Sequence, residues 1–461
     1  MPARSARSIA VVFVTLLAAL TSCGHPIAGT PSPGDGIAVN RVDTGFIKGT
    51  DAGRIDQLAA ATVMDVQSYW QRTFPSTFSD QWHDVRQFYS VDTNDGGAGP
   101  PPCTEKATDV EGNAFYCPSA DAIAWDRAAL LPVLADKFGE AGVVVVLAHE
   151  IGHAVHNRLG ITTERQRREP DTYPTIVVEA MADCYSGAFV RSVVDGHAEH
   201  LRISGDQLDL ALGALVSFRD PVGTSSADRR AHGNAFDRVS SFSDGYQQGP
   251  ALCSRFTAQS RQFTLHEFAT DNDRARGGNL PLPNLLESLT QDLDRFFGGL
   301  VRNRGGTWKA PQLRVNVNDA ACPGNGDQGP VAFCPDSATI ATKADGELDK
   351  LHDRIGDYAA GTLVTSRYGL AAIAALGKPI RGEAAGRAAL CLAGGYTGEL
   401  LHRTDSFELS PGDLDEAVLV LLRSDYAVRD AAGKPAAGSG FDRVGLFRGG
   451  AIGGADSCRL G

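Results

Sequence analysis

The sequence lacks the features that mark several large classes of protein. It has no extended Lys/Arg clusters, and 43 basic against 55 acidic residues give a formal net charge of −12, which argues against nucleic acid as the main partner. The apolar run over residues 9–20 is too short to span a bilayer as a permanent helix. The apolar fraction of 43% and the charged fraction of 21% exclude a wholly disordered or fibrous chain. A length of 461 residues allows two or three globular domains.

The first residues are typical of a bacterial lipoprotein leader. Arg4 and Arg7 precede the apolar run, and residues 20–23 (LTSC) form a lipobox, in which small residues precede a cysteine that is acylated. We predict that residues 1–22 are a signal peptide and that Cys23 carries a lipid anchor on the outer face of the cell membrane. Residues 23–45, which contain a stretch rich in Pro and Gly, are expected to form a flexible tether. Plain secretion with an incidental cysteine is the alternative.

The chain also contains a diverged internal duplication. Three segments recur in the same order: residues 114–118 (AFYCP) as 331–335 (VAFCP), 204–209 (SGDQLD) as 410–415 (SPGDLD), and 236–239 (FDRV) as 441–444 (FDRV). Three matches in register are hard to produce by chance. The sequence therefore predicts two copies of one helix-rich α+β fold, over residues 46–258 and 282–461, joined by a polar connector over 259–281.

Apolar periodicity predicts the same elements in each copy. A helix comes first, at residues 55–73 and 282–301, and a short β section follows it. In the first copy the predicted strands cover residues 84–91, 113–117 and 121–126, and the predicted helices cover 128–138, 142–158, 174–194, 206–219 and 234–247.

Eight cysteines remain once Cys23 is set aside, and an even number favours an oxidising compartment. The duplication reduces the possible pairings, because Cys253 aligns with Cys458, and Cys391 lies one helical turn before Gly395, the counterpart of Cys184. We predict these disulfides: Cys103–Cys117, Cys184–Cys253, Cys322–Cys334 and Cys391–Cys458. The alternative for Cys184 is a free buried thiol.

Residues 149–153 contain the pattern His-Glu-x-x-His within an apolar run. On a helix, His149 and His153 lie one above the other on one face, so both imidazoles can bind one Zn²⁺. Glu150 is displaced round the helix toward the open coordination position, where a general base is needed. A buried His-Glu-His cluster without a partner would be costly, and a metal ion accounts for it.

A third ligand is available on the next predicted helix. Glu179 can complete a His₂Glu zinc site, and Asp183, one turn later, can accept the free ring N–H of a ligating histidine. His156 shares the face of His149 but lies about 10 Å further along the axis, too far to share one ion, so we interpret it as structural.

The second copy serves as an internal control for this site. Alignment places His149 on Ser366, Glu150 on Arg367, His153 on Leu370, Glu179 on Leu390 and Asp183 on Gly394. All five site residues are missing from the second copy, whereas turn and core residues are retained there. This pattern predicts that the second copy is catalytically inactive. His232 aligns with Ala437 and could stabilise an oxyanion, or could be a surface-loop residue. Arg238 is retained as Arg443 and is interpreted as structural.

With these residues in place, the first copy resembles the bacterial neutral zinc metallopeptidase family. The resemblance covers roughly residues 50–258 and rests on His149-Glu150-x-x-His153, Glu179-x-x-Ala182-Asp183-Cys184-Tyr185-x-Gly187, His232-Gly233, Arg238-Val239-x-x-Phe242, Gly245 and Cys253. It implies a zincin-like, helix-rich α+β domain with peptidase activity. The chain differs from the family in carrying the second, inactive copy.

These observations predict a membrane-anchored zinc peptidase that acts on peptide or protein substrates, with one Zn²⁺ per chain held by His149, His153 and Glu179. Glu150 would take a proton from the attacking water and deliver it to the leaving amine. The alternative is a lipid-anchored binding or scaffold protein whose metal is structural. The second copy could also dock substrate or inhibit the first. Substrate identity and oligomeric state are left open by the sequence.

Overall fold

The computed structural model describes residues 42–228, 231–317, 322, 326–403 and 407–460. The predicted signal peptide, Cys23 and all but the last four residues of the predicted tether lie outside the described residues. Among the residues that are described, no helix is both long enough and apolar enough to cross a membrane.

The first half of the chain is a small sheet packed against helices. Its strands are β1 (Ile47–Lys48), β2 (Gln87–Val91), β3 (Ala114–Cys117) and β4 (Ala122–Asp126), and its helices are α1 (Arg54–Phe78), α2 (Leu130–Arg158), α3 (Thr163–Arg168), α4 (Thr175–Val194), α5 (Gly205–Ser217), α6 (Ala235–Gln248) and α7 (Pro250–Cys253). The sheet order is β1-β2-β4-β3. Strands β1, β2 and β4 run parallel, whereas β3 pairs antiparallel with β4 and forms an edge.

The predicted helices are confirmed, with differences at their ends. The first continues past the predicted residue 73 and through Pro75, and it ends at Phe78. The next residue, Ser79, has a left-handed backbone (φ 57°), and its N–H donates to the Pro75 carbonyl. Strand β2 begins later than the predicted residue 84, because the N–H of Val85 donates to Gln67 Oε1 at 2.8 Å instead of to a strand.

Helix α2 joins the two segments predicted over residues 128–138 and 142–158. They meet at Gly139, whose backbone (φ 67°, ψ 176°) is not helical. This positive φ favours glycine, since a side chain there would clash with the backbone. The segment after Gly139 is almost wholly buried, including Val143, Val144 and Val145. The break therefore directs a second, internal helix through the core.

Helices α4 and α6 pack with their backbones in direct contact. A Cβ atom at Gly187 would lie 2.0 Å from the Phe242 carbonyl oxygen, and one at Gly245 would lie 1.7 Å from the Cys184 carbonyl oxygen. Only glycine permits this approach. It holds α4, which carries two of the predicted site residues, in a fixed position.

The second half is also a small sheet packed against helices. After a short helix α8 (Asp271–Ala275) in the connector come α9 (Leu282–Asn303), β5 (Gln312–Val317), β6 (Val331–Cys334), β7 (Thr339–Lys343), α10 (Glu347–Arg354), α11 (Asp357–Ala375), α12 (Glu383–Leu400), α13 (Asp413–Arg423) and α14 (Gly440–Gly453). The sheet order is β5-β7-β6, with β5 parallel to β7 and β6 antiparallel to it. Glycines again lie between two helices, because a Cβ at Gly394 or Gly450 would clash with the facing backbone of α14 or α12.

The two halves contact each other through reciprocal hydrogen bonds. Asp209 of α5 accepts from the main-chain N–H groups of Gly440 and Phe441 at the start of α14, at 2.5 and 2.8 Å. Asp415 of α13 accepts from the N–H of Ala235 at the start of α6, at 2.8 Å. Each half therefore satisfies the free donors at a helix N-terminus of the other half.

All four predicted disulfides are present: Cys103–Cys117, Cys184–Cys253, Cys322–Cys334 and Cys391–Cys458. Cys184 is therefore not a free thiol. Cys184–Cys253 and Cys391–Cys458 each link a helix to the last segment of its half. The paired cysteines are 69 and 67 residues apart in the sequence.

Candidate metal centre

The predicted site residues come from two helices that nearly touch. His149, Glu150 and His153 lie on the internal part of α2, and Glu179 and Asp183 lie on α4. A Cβ atom on Gly152 of α2 would lie only 2.8 Å from the Ala182 backbone of α4. Glycine in the middle of the His-Glu-x-x-His pattern thus allows side chains from both helices to meet at one point.

Ligand atoms from three side chains converge there. His149 Nε2 lies 3.1 Å from His153 Nε2, 3.3 Å from Glu179 Oε2, and Glu179 Oε1 lies 3.6 Å from His153 Nε2. Two ligands of a tetrahedral zinc with bonds of about 2.0–2.1 Å lie about 3.3 Å apart. The spacing of the three side chains therefore matches one zinc ion.

The hydrogen bonding around these atoms also fits a cation. Glu179 is 8% exposed, and its Oε2 is buried without a hydrogen-bond partner among the described residues. The Nε2 atoms of the two histidines face each other, and each carries a lone pair. Because these lone pairs are buried beside a carboxylate oxygen, they need a positive group between them. Two imidazoles and a carboxylate are a donor set that catalytic zinc uses.

His149 is oriented by a buried ion pair. Its Nδ1 donates to Asp183 Oδ1 at 2.7 Å, which leaves Nε2 free to face the site. Arg238 binds Asp183 with two hydrogen bonds of 2.9 and 2.8 Å, and both residues are nearly inaccessible. Burial opposes ionisation, but Arg238 and His149 outweigh it and lower the pKa of Asp183. Asp183 is thus ionised and accepts from His149.

His153 is oriented by His156, which the sequence analysis interpreted as structural. His153 Nδ1 lies 3.1 Å from His156 Nε2, and His156 Nδ1 donates to the Ile161 carbonyl oxygen at 2.8 Å. His156 Nε2 is therefore an acceptor, and His153 directs its own Nε2 at the site. Burial, together with the neighbouring His153, lowers the pKa of His156 to about 3, so His156 is neutral.

Glu150 lies beside the ligand atoms of His149, His153 and Glu179, but its own hydrogen-bond partner is different. Its side chain is buried and accepts a hydrogen bond from the main-chain N–H of Tyr116 in β3. Burial raises the pKa of Glu150, although His149 and His153 oppose this. A carboxyl group held next to a metal site with a raised pKa is suited to exchanging protons.

These residues form one wall of a cleft of about 530 Å³. The edge strand β3 and His232 line the same cleft. The main-chain N–H of His232 donates to Asp220 Oδ2 at 2.7 Å, and its Nδ1 lies 3.4 Å from Asp220 Oδ1. Its side chain is 49% exposed, and the hydrogen bond with Asp220 raises its pKa against the opposing effect of burial. His232 therefore presents a polar group to the cleft.

The comparison with known proteins agrees with this geometry. Residues 33–256 match the family described as putative neutral zinc metallopeptidase. The family match supports a zinc-dependent hydrolase acting on peptide bonds. No solved structure matches the chain.

The similar proteins are bacterial. The uncharacterized protein Rv2575 of Mycobacterium tuberculosis is 29% identical over 229 residues, which cover 46% of this chain and 74% of that protein. The uncharacterized protein YpfJ of Escherichia coli strain K12 is 31% identical over 158 residues, which cover 31% of this chain and 53% of that protein.

The sequence analysis missed two contacts within the region that matches the zinc metallopeptidase family. Arg238 was interpreted as structural because Arg443 aligns with it, yet only Arg238 binds a carboxylate beside the site; Arg443 donates to the Leu421 carbonyl oxygen at 2.7 Å. The role of His156 depends on the rotamers of two histidines, which spacing alone does not specify. One signal in the sequence could have revealed the role of Arg238. The second copy lacks a counterpart of Asp183, so Arg443 cannot make the contact that Arg238 makes.

Proposed function

We propose that residues 46–258 form a zinc-dependent peptidase, with one Zn²⁺ held by His149, His153 and Glu179. The convergence of these three side chains around the buried, unpartnered Glu179 Oε2 carries the proposal. Three protein side chains would hold the ion, as in catalytic zinc sites, whereas structural zinc sites use four protein ligands. The match to the zinc metallopeptidase family supports the same conclusion.

A zinc ion in this position supplies Lewis-acid chemistry, making water more acidic and a carbonyl more electrophilic. Glu150 accepts a proton from the attacking water and delivers it to the leaving amine. Its hydrogen bond from Tyr116 holds the carboxylate against β3 while it does so. His232, across the cleft, donates to the oxyanion as the carbonyl becomes tetrahedral.

The substrate would bind as an extended peptide beside β3. This strand forms hydrogen bonds to β4 on one side only, and it lines the cleft next to Glu150. An edge strand offers unpaired N–H and C=O groups that an extended chain can bind. The peptide bond to be cleaved would then lie between Glu150 and the three ligand side chains.

The second half is proposed to be an inactive repeat of the first. Three observations support this proposal: the reciprocal contacts of Asp209 and Asp415, the similar strand orders of the two sheets, and the similar placement of the disulfides in both halves. Arg367, which aligns with Glu150, is 1% exposed and donates to Gln328 Oε1 at 3.1 Å and to the Tyr426 carbonyl oxygen at 2.9 Å. An internal arginine therefore fills the position that a general base takes in the first half.

Lipid anchoring through Cys23 at the outer face of the cell membrane is also proposed. Four disulfides favour an oxidising compartment and are consistent with export. Metabolic labelling with a radioactive fatty acid tests the anchor. The wild-type chain should be labelled and sediment with membranes, whereas Cys23→Ala should be unlabelled and soluble; equal labelling of both would exclude this site.

Replacement of Glu150 tests the function. Cleavage of a peptide library should require a stoichiometric metal, stop on chelation, and return when zinc is restored. Glu150→Gln should lose at least about 10²-fold in turnover because the proton carrier is gone, yet it should retain zinc. Glu164→Gln, a change at an exposed position of α3, is the matched control. Full activity in Glu150→Gln would refute the mechanism, and a wild-type chain that binds zinc without cleaving any peptide would favour the structural-metal alternative.

A further inference from the structure

Three buried carboxylates meet far along the chain from the candidate metal centre, where the connector approaches the second half. Asp357 is the first residue of α11, and Asp413 and Glu416 lie in the first turn of α13. They are 3%, 4% and 6% exposed. One carboxylate oxygen from each lies within 4.8 Å of the other two. We call these three residues the acidic cluster.

Main-chain donors satisfy only part of the acidic cluster. The hydrogen bonds are from Leu280 N to Asp357 Oδ2 at 2.6 Å, from Ser410 N to Asp413 Oδ2 at 2.8 Å, and from Tyr358 N to Glu416 Oε2 at 2.7 Å. The other oxygen of Asp357, Oδ1, is buried and has no hydrogen-bond partner in the described part of the chain. An unpartnered carboxylate oxygen in a buried acidic cluster is a position at which a cation can bind.

The charge of the acidic cluster is only partly compensated, since His352 and Arg276 act on Asp357 from beyond ion-pair distance. Over the described ranges, no Lys, Arg or His side chain forms an ion pair with any of its three carboxylates. Burying three like charges together without a counter-charge costs several kcal/mol per ion in proteins generally. The chain must either keep protons on these groups or bind a positive ion between them.

The first half shows that the fold does not need an acid at this position. In the sequence correspondence that pairs Asp209 with Asp415, Leu210 is the counterpart of Glu416. A Cβ atom on Gly139 would contact Leu210 Cδ1 at 3.5 Å, and one on Gly356 would meet the Glu416 carboxyl group at 1.9 Å. The same glycine–side chain contact thus exists in both halves, with an apolar group in one and a carboxylate in the other.

The other two members of the acidic cluster differ between the halves as well. Asp413 has Gln207 as its counterpart, and Asp357 has Glu140. Glu140 forms an ion pair with Arg54, so its charge is compensated. Among the described residues, three buried carboxylates without an ion-pair partner are therefore a feature of the second half and not a requirement for building it.

We propose that Asp357, Asp413 and Glu416 bind one calcium ion. The three side chains that converge offer only oxygen donors, which hard divalent cations prefer, whereas zinc favours sites that include imidazole or thiolate. Each carboxylate is already held by a main-chain N–H, so the donors cannot form an ideal octahedron; calcium tolerates irregular coordination and magnesium does not. The ion would join α11 to α13 beside Asp415, which contacts the first half.

Calcium titration of the full chain tests the site without measuring peptidase activity. The protein is stripped of metals, given one equivalent of zinc, and titrated with calcium chloride by calorimetry. We expect one calcium ion per chain, a Kd within about 10⁻⁶–10⁻³ M, and a thermal unfolding midpoint raised by several degrees. Zinc content, measured in parallel, should stay constant, so failure of this site is distinguishable from failure of the peptidase site.

Substitutions assign the binding to the acidic cluster. Asp413→Asn and Glu416→Leu should each abolish calcium binding and the shift in midpoint; leucine is already accommodated at the first-half counterpart. Asp349→Asn, an exposed position on α10, should behave as wild type. If Glu416→Leu does not fold, Glu416→Gln provides the same test.

Two results would overturn the proposal. In the first, calcium does not change the unfolding midpoint of the wild type, and Asp413→Asn has a higher midpoint than the wild type without calcium. This result would mean that protons neutralise the acidic cluster. Magnesium binding as tight as calcium binding would remove the assignment to calcium.

Discussion

Asp209 and Asp415 each bind a helix N-terminus in the opposite half of the molecule. Asp209 accepts from two consecutive N–H groups of α14, and Asp415 accepts from the first N–H of α6. These two carboxylates, which stand at aligned positions of the sequence, therefore make reciprocal contacts between the halves. These hydrogen bonds fix the position of one half against the other in addition to any apolar packing between them.

Removal of one of these carboxylates should weaken the interface. Asp209→Ala leaves two N–H groups at the start of α14 without an acceptor, and we expect the free energy of unfolding to fall by about 1–2 kcal/mol. Denaturant titration measures this change. Asp206→Ala, at an exposed position of the same helix, should differ from wild type by less than about 0.5 kcal/mol. Equal effects of both substitutions would contradict a role for Asp209 in joining the halves.

His156 should control zinc affinity without binding the metal. His156→Ala removes the acceptor for His153 Nδ1, so His153 loses its fixed tautomer and ring orientation. We expect zinc affinity to fall about 10–100-fold, measured by competition with a chromophoric chelator. His266→Ala, in the exposed connector, serves as the control. Unchanged affinity in His156→Ala would show that the imidazole has no influence on the site.

The Asp183–Arg238 pair should contribute to folding and to metal binding in separable ways. Asp183→Ala leaves Arg238 buried without a counter-charge, and we expect a loss of about 3–5 kcal/mol in the free energy of unfolding. The double variant Asp183→Leu, Arg238→Met should recover most of this stability, because the uncompensated charge is gone. It should not recover zinc affinity, since His149 still lacks its acceptor. Full recovery of zinc affinity in the double variant would contradict the orienting role of Asp183.

Asp237 should make stability depend on pH. Burial raises its pKa to about 6, although hydrogen bonds from Thr264 oppose the shift. A carboxyl group with a raised folded-state pKa contributes stability that is complete below its ordinary pKa of 3.8 and is lost as the pH rises through about 6. Between pH 5 and 8, wild type should therefore lose about 1–3 kcal/mol relative to Asp237→Asn.

Denaturant titrations at several pH values measure this difference. Asp206→Asn, which changes an exposed carboxylate, should follow the wild-type pH profile. If Asp237→Asn also followed that profile, the buried carboxyl group would not be the source of the pH dependence.

The spacing of residues was sufficient to predict one side of the candidate metal centre. His149 and His153 are four residues apart on one helix, and helical geometry alone puts their side chains together. The disulfide pairings also followed from order along the chain, since each cysteine has an aligned or nearby counterpart in the other half. The break before the internal helix appeared in the apolar pattern because Gly139 interrupts it.

Contacts between distant segments were not predicted in the same way. His156 was interpreted as structural from its distance along the helix axis, but its contact with His153 depends on side-chain rotamers. Arg238 reaches Asp183 across 55 residues of sequence. Its aligned counterpart Arg443 donates to main-chain carbonyl groups instead. One residue type at one aligned position thus has two different partners.

The amino-acid sequence by itself determined the helices, the cysteine pairs and the candidate metal-ligating side chains, because these depend on local periodicity and on chemical type. Only the tertiary structure decided which polar groups orient the histidines, how the halves exchange hydrogen bonds, and that Asp357 joins Asp413 and Glu416. Those relationships depend on how closely helices approach, and glycines such as Gly152 and Gly356 set that approach through packing against segments remote in the chain.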